Sequence, residues 1–187
     1  MELWQAIHAR RSVREFGPAK VERAALVRLI EAAVQAPSAV NEQPWVFTVV
    51  QDQAVLTRIS DESKTHMLRT APKEISGHRF ETMLRDPAFN IFYGAPALIV
   101  ISSVTADQWA VENCALAAEN LMLAACAEGL GSCWIGFAQG WLRTEAGKAA
   151  LGLPAACLPV APLIVGHPKS TPPPVSRRSP DIRWIGG

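Results

Sequence analysis

Little in this chain points to a metal, a membrane or an acidic polymer. Lysine and arginine exceed aspartate and glutamate by one, a formal net charge of +1. A general nucleic-acid binder carries a clear positive excess, so the basic clusters present here are read as local features. Cysteine is scarce: Cys114, Cys126, Cys133 and Cys157 lie in apolar surroundings without CxxC spacing. They are expected to be small buried hydrophobes in a reducing compartment, not disulfide partners or metal ligands. His8, His66, His78 and His167 also lack ligand spacing, and no bound metal is expected. No run reaches the roughly 18 apolar residues of a membrane-spanning helix. MELWQAIHARR lacks the basic-then-apolar layout of a signal peptide. A cytoplasmic protein with neither membrane nor nucleic-acid partners is expected. The glycine fingerprint of a dinucleotide-binding fold is missing too, so any nicotinamide preference stays unread.

What is present is a globular pattern. The 187 residues are 49% apolar, enough for one domain over 1–187 with a sizeable core, and no internal repeat or second domain is visible. Leu3, Trp4 and Ile7 predict a short helix from Glu2 to about Arg11, ended by Gly17 and Pro18. Leu26, Leu29, Ile30, Ala33 and Val34 predict an amphipathic helix from Val21 to about Gln35. WVFTVV, Trp45–Val50, reads as a strand, and ALIVIS, Ala97–Ser102, as a strand buried on both faces. Ala54 to about Ser60 opens a helix, and the mixed, charged stretch from Asp61 to Asn90, including Lys73, His78 and Arg79, is expected to form short helices and a lid. Between Asp107 and Glu128 the chain predicts a long helix, apolar on nearly every side, that needs burial all round. Trp45 and Trp109 are expected in the core. SCWIGF reads as a short strand or extended loop, a helix follows from about Trp141 to Ala150, and CLPVAPLIVG, Cys157–Gly166, reads as a strand whose last part, Leu163–Gly166, is the most strand-like. Residues 167–187 carry five prolines up to Trp184 and should run as an extended arm. Helices alternating unevenly with four or so strands indicate α+β or α/β, with a mostly antiparallel or mixed sheet.

Three segments concentrate chemistry. RRSVR offers Arg10, Arg11, Ser12 and Arg14, three guanidinium groups and a hydroxyl whose geometry suits phosphate oxygens. Read alone, it is more readily a solvated basic turn at a helix end. PSAVNEQPW places Ser38, Asn41 and Gln43 between two stiffening prolines, Pro37 and Pro44. These side chains are either ligand-holding groups or ordinary turn formers. GLGSCWIG, from Gly129, lets backbone approach a planar ligand, though a GLG alone is no more than a helix stop.

Taken together and in this order, RRSVR, PSAVNEQPW and GLGSCWIG resemble the FMN-dependent nitroreductase family, and FYGAPALIV and AENLMLAACAEGLG extend the resemblance from Met1 to about Trp184. The resemblance implies an α+β, three-layer fold with a central mixed or antiparallel sheet surrounded by helices, in a domain-sharing homodimer with one flavin at each subunit interface. It implies that Arg10, Arg11 and Ser12 hold the FMN phosphate and ribityl chain, and that Arg14 reaches the pyrimidine end. Pro37, Ser38, Ala39 and Asn41 would come from the partner, with Gln43 joining them or bracing the loop. Cys133, Trp134, Ile135 and Gly136 would lie along the isoalloxazine, a backbone N–H meeting N5, and Arg177 or Arg178 would return to the phosphate. Asn90 is a further candidate contact. No side chain is expected to act as acid, base or nucleophile, Cys133 included. The implied activity is ping-pong hydride transfer from NADH or NADPH through FMN to nitroaromatics, quinones or similar conjugated electrophiles. Reductive dehalogenation, flavin cleavage and a low-turnover FMN-binding module are the alternatives.

Overall fold

The computed structural model describes residues 1–70 and 78–186. Its helices are α1 (Leu3–Ala9), α2 (Arg23–Ala33), α3 (Gln53–Thr70), α4 (His78–Arg85), α5 (Ala110–Ala127), α6 (Gly136–Leu142) and α7 (Glu145–Ala150). The strands are β1 (Trp45–Val50), β2 (Ala97–Ser103), β3 (Gly131–Trp134) and β4 (Leu158–Gly166). They form one four-stranded sheet in the order β1-β2-β4-β3, antiparallel throughout. An isolated parallel bridge between Ser12 and Ser132 adds the mixed character at the β3 edge. This is an α+β fold with helices on both faces of the sheet.

The period of two along β2 explains the layers. Ala97, Ile99 and Ile101 face the core shared with Leu29 of α2 and Leu121 of α5. Leu98 and Val100 face the opposite core, with Ile59 of α3 and Leu142 of α6. All seven residues of β2 are buried, as the unbroken apolar run requires. Each fully buried Leu or Ile contributes about 1.5–3 kcal/mol relative to exposure, so this central strand anchors both layers.

Three segments depart from the sequence expectation. The mixed stretch after Ser60 continues one helix, α3, to Thr70. Its buried face mixes Leu56 and Ile59 with polar groups: the Ser60 hydroxyl oxygen accepts the Ile91 N–H, and buried Lys64 donates to the carbonyls of Asp86 and Phe89 while pairing with Asp61 at 3.2 Å. These bonds staple α3 to the segment after α4. Lys73, and the side chains of His78 and Arg79, lie outside the described residues. The helix expected at Trp141–Ala150 is two helices, because Thr144 caps α7 by accepting from the Gly147 N–H. Gly136 and Phe137 begin α6 instead of extending β3.

Strand β4 fills nearly all of the expected strand Cys157–Gly166, despite Pro159 and Pro162. Pro159 sits beside a register shift against Ile101 and Ser102, and Pro162 lies just beyond the β3 ladder, which ends at Leu163. Neither position demands the missing N–H of a regular ladder on both sides. Trp109 is 49% exposed, and on α5 Val111 and Leu116 are exposed as well. The burial that α5 requires is thus incomplete within one chain. Residues 170–186 take no helix or strand. The root of this arm is tied by Gly17 N–H to His167 C=O and by Lys169 N–H to Glu15 C=O. Among the described residues no helix is long and apolar enough to cross a membrane.

Candidate functional site

The basic segment leaves α1 and lies along β3. Val13 donates its N–H to Ser132 C=O at 3.0 Å, beside the Ser12–Ser132 bridge. Gly131 makes that approach possible: a Cβ there would come within 2.8 Å of three atoms of the Val13 side chain. Two of the three motifs, RRSVR and GLGSCWIG, are therefore in contact within one chain.

Around this junction the side chains divide by role. Arg10 Nε pairs with Glu119 of α5 at 3.3 Å, and among the described residues its terminal nitrogens meet no acceptor. Arg11 is engaged by backbone: Nη1 donates to the carbonyls of His8 and Arg10, and Nε donates to Pro173 C=O at 3.3 Å. Arg14 is exposed, with its guanidinium carbon 5.9 Å from the centre of the Tyr93 ring. Tyr93 has φ of 55°, uncommon for a bulky side chain, and Gly94 follows at φ 68°. Ser12 is exposed and close enough to bond the Cys133 thiol. Burial pushes that thiol up, and the positive charges of Arg14 and Arg10 together with the Ser12 bond offset only part of the rise. Cys133 stays a neutral thiol, not a nucleophile.

Farther along the same strand, Ile135 is buried and spends its N–H on Pro162 C=O at 2.8 Å. Of the backbone amides expected near a flavin N5, that one is taken. Gly136 is exposed at the start of α6, where the helix supplies no carbonyl for its N–H. Trp134 is half-buried on the α5 side. A strand edge with open amides, three arginines and a hydroxyl is a donor set that matches a phosphorylated, carbonyl-rich flavin.

The third motif is elsewhere. Residues 39–41 form a single 3₁₀ turn in which Val40 and Asn41 have φ of 44° and 59°, followed by Gln43 at 51°. Ser38 Oγ accepts the Gln43 N–H at 2.9 Å, and Asn41 Oδ1 accepts from Gln43 Nε2 at 3.1 Å. Gln43 thus braces the loop. Pro37 is exposed, Ala39 is half-buried, and Val40 is 89% exposed. The loop enters β1 at Trp45, which faces Ser103 and, through it, Leu158, whereas Ser132 faces Val165. From β1 to β3 are three strand spacings, about 14 Å, and from Leu158 to Val165 is about 23 Å along the strands. One chain therefore holds the two halves of the expected site at diagonally opposite corners of its sheet.

Arg177 and Arg178 are exposed and meet no partner among the described residues. Asn90 turns its Oδ1 to the Phe92 N–H at 2.8 Å, which shapes the approach to Tyr93. Sequence reasoning missed Glu119, Asn113 and Tyr93. The trace of the first two was available: both interrupt an otherwise apolar helix.

Comparison with known proteins identifies the fold and the family. A protein of Archaeoglobus fulgidus, provisionally named NADH dehydrogenase/NAD(P)H nitroreductase, is 31% identical over 169 residues, covering 90% of this chain and 86% of its own. An iodotyrosine deiodinase of Thermotoga neapolitana is 28% identical over 137 residues, covering 70% of this chain and 71% of its own. Among solved structures, a Bacteroides fragilis nitroreductase with bound FMN superposes with a TM-score of 0.86 at 25% identity, covering 99% of each chain. The model of the nitroreductase family matches residues 7–167, and this chain belongs to that family.

Proposed function

We propose that the chain works as one domain in a homodimer that binds FMN at each subunit interface. There it uses NADH or NADPH to reduce nitroaromatics, quinones or similar conjugated electrophiles. The observation that carries this reading is the separation of the two half-sites within one protomer. A two-fold partner brings the loop of one chain to the basic corner of the other, and apolar side chains are available for the contact. On α1, Leu3, Trp4 and Ile7 are 64%, 72% and 44% exposed, and Val40, Val111 and Leu116 are exposed elsewhere. Exposed apolar side chains of this kind suit an interface.

Arg10 and Ser12 hold the phosphate and ribityl end, with Arg11 fixing the backbone between them and Arg177 or Arg178 closing from the arm. Pro37, Ser38, Ala39 and Asn41 approach from the partner. Cys133, Trp134, Ile135 and Gly136 flank the ring system, and the Gly136 N–H is placed to bond its central edge. Arg14 supplies fixed positive charge for the pyrimidine end, where reduction deposits negative charge. Bound FMN would supply the redox chemistry, taking hydride from the nicotinamide and passing electrons to the acceptor in a ping-pong cycle. The four free cysteines fit a cytoplasmic setting.

Purified protein should be yellow, dimeric by light scattering, and release one FMN per chain on denaturation. Anaerobic stopped flow with NADH and with NADPH should bleach the flavin. A panel of nitroaromatics, quinones and halophenols should then show which acceptor reoxidises it; the halophenols separate a deiodinase-like specificity. Colourless protein that cannot be reconstituted would overturn the reading, and bound FMN without NAD(P)H oxidation would leave only a flavin-binding module.

A further inference from the structure

Asn113, in the first turns of α5, is 2% exposed and is the only buried carboxamide among the described residues. Its Oδ1 accepts the Ala39 N–H at 2.9 Å, from a residue 74 positions away. Its Nδ2 is buried without an acceptor. The amide orientation is fixed by chemistry, because only the oxygen can accept from an N–H. A buried donor left unmatched is unfavourable, and such a group calls for a reason.

The loop supplies one. Val40, Asn41 and Gln43 all have left-handed backbone, which a β-branched valine adopts with particular difficulty. The bonds within residues 38–43 run from one part of the loop to another: Asn41 N–H to Ser38 C=O, Glu42 N–H to Ala39 C=O, and the two accepted from Gln43. Among the described residues, the Asn113–Ala39 bond is the one hydrogen bond from 38–43 to the rest of the chain. The loop's shape is self-made, but its place is set by Asn113.

We infer that Asn113 is a positioning residue for flavin binding. By holding Ala39, it presents Ser38 and Asn41 to the FMN that the partner subunit carries. The inference rests on the interface-site reading proposed above. It also makes α5 the mount for both half-sites, because Glu119, which pairs with Arg10, lies on the same helix about 9 Å farther along.

The test compares Asn113→Leu with Asn113→Asp, measuring FMN affinity by fluorescence titration and the melting midpoint of the flavin-free dimer. Leucine is close in volume and removes the unmatched donor along with the bond. The flavin-free midpoint should hold or rise while FMN affinity falls roughly tenfold, the factor matching one lost hydrogen bond. Aspartate keeps an acceptor for the Ala39 N–H and should recover most of that affinity. Unchanged affinity in the leucine variant, or equal loss in both variants, would overturn the proposal.

Mixed dimers provide the reading that a general structural defect would not produce. An Asn113→Leu subunit paired with an Arg10→Ala subunit should regain one site of normal affinity, because each defect falls on the same remaining site. The control pair, Ser38→Ala with Arg10→Ala, tests the interface reading itself. Recovery in the control without recovery for Asn113 overturns only the role of Asn113. No recovery in either pair overturns the shared site and, with it, this inference.

Discussion

Arg10 Nε lies 3.3 Å from Glu119 Oε1, so a residue of α5 grips the inner nitrogen of the guanidinium and leaves the outer fork for a ligand. The glutamate side chain is 48% exposed and the arginine 21%, which limits what the pair adds to folding. Ion pairs at such exposure stabilise by about 0–1 kcal/mol.

Binding and stability should therefore separate at this position. Arg10→Ala removes a charge-assisted contact to phosphate, typically worth about 1.5–3 kcal/mol. FMN affinity should weaken roughly tenfold to a hundredfold, while urea unfolding of the flavin-free protein changes by less than about 1 kcal/mol. Fluorescence titration and denaturation of the same preparation decide it. Affinity equal to that of the parent protein removes Arg10 from the clamp.

Arg14 should act on the redox equilibrium more than on affinity. Its guanidinium stands over the Tyr93 ring, and the ring is held there by a left-handed backbone at φ 55°. A positive charge near the pyrimidine end favours the reduced, negatively charged flavin, so Arg14→Met should lower the two-electron potential. A loss of about 1–3 kcal/mol of that stabilisation corresponds to a drop of roughly 20–60 mV. Tyr93→Leu should move it in the same direction by less, since the charge remains but its perch is gone. Spectroelectrochemistry on both variants gives the answer, and a potential unmoved by Arg14→Met would sink the assignment.

The buried thiol of Cys114 ties stability to alkaline pH. Burial in the α5 core, with the negative charge of Asp107 adding to it, pushes this group from 9.0 up to about 12. Its folded value is thus raised above its unfolded one. Below about pH 9 both states keep the proton and the contribution is intact; between about pH 9 and 12 the unfolded chain sheds it first, and stability is lost as pH rises. The slope for one such thiol approaches about 1.4 kcal/mol per pH unit. Urea midpoints at pH 8 and pH 10 should show the decline, and Cys114→Val should make it shallower. An identical slope in the variant would place the alkaline loss on other groups.

The sequence was most legible where a single physical demand acted on a segment. The unbroken apolar run of β2 and the periodic face of α2 could satisfy only one environment each, and both were found nearly where the pattern put them. It was least legible where tertiary partners rescue an unfavourable local choice. Helix α3 runs through a polar stretch because Ser60 and Lys64 find backbone partners in residues 86–91. In the candidate site, RRSVR and GLGSCWIG were visible as motifs, but their contact depends on Gly131 facing Val13, which no spacing rule predicts. The exposure of Trp109 and Leu116 also escaped the pattern, which read apolar composition as burial.

That glycine contact yields the sharpest mutational test. Alanine at 131 would place its Cβ 2.8 Å from the Cβ, Cγ1 and Cγ2 atoms of Val13, closer than packed side chains tolerate. Since Val13 is buried and its N–H is bonded to Ser132, the strain must push residues 12–14 away from β3 or shift β3 itself. Overpacking of this kind costs about 1–3 kcal/mol, and the displacement should also weaken FMN binding because Arg10, Ser12 and Arg14 travel with the same segment. Val13→Ala removes two of the three offending atoms, so Gly131→Ala should cost clearly less in that background. A double-mutant cycle in urea, run alongside FMN titration, measures the coupling. Equal costs in both backgrounds would show that the clash is relieved elsewhere and that the Val13–Gly131 contact does not hold the basic segment in place.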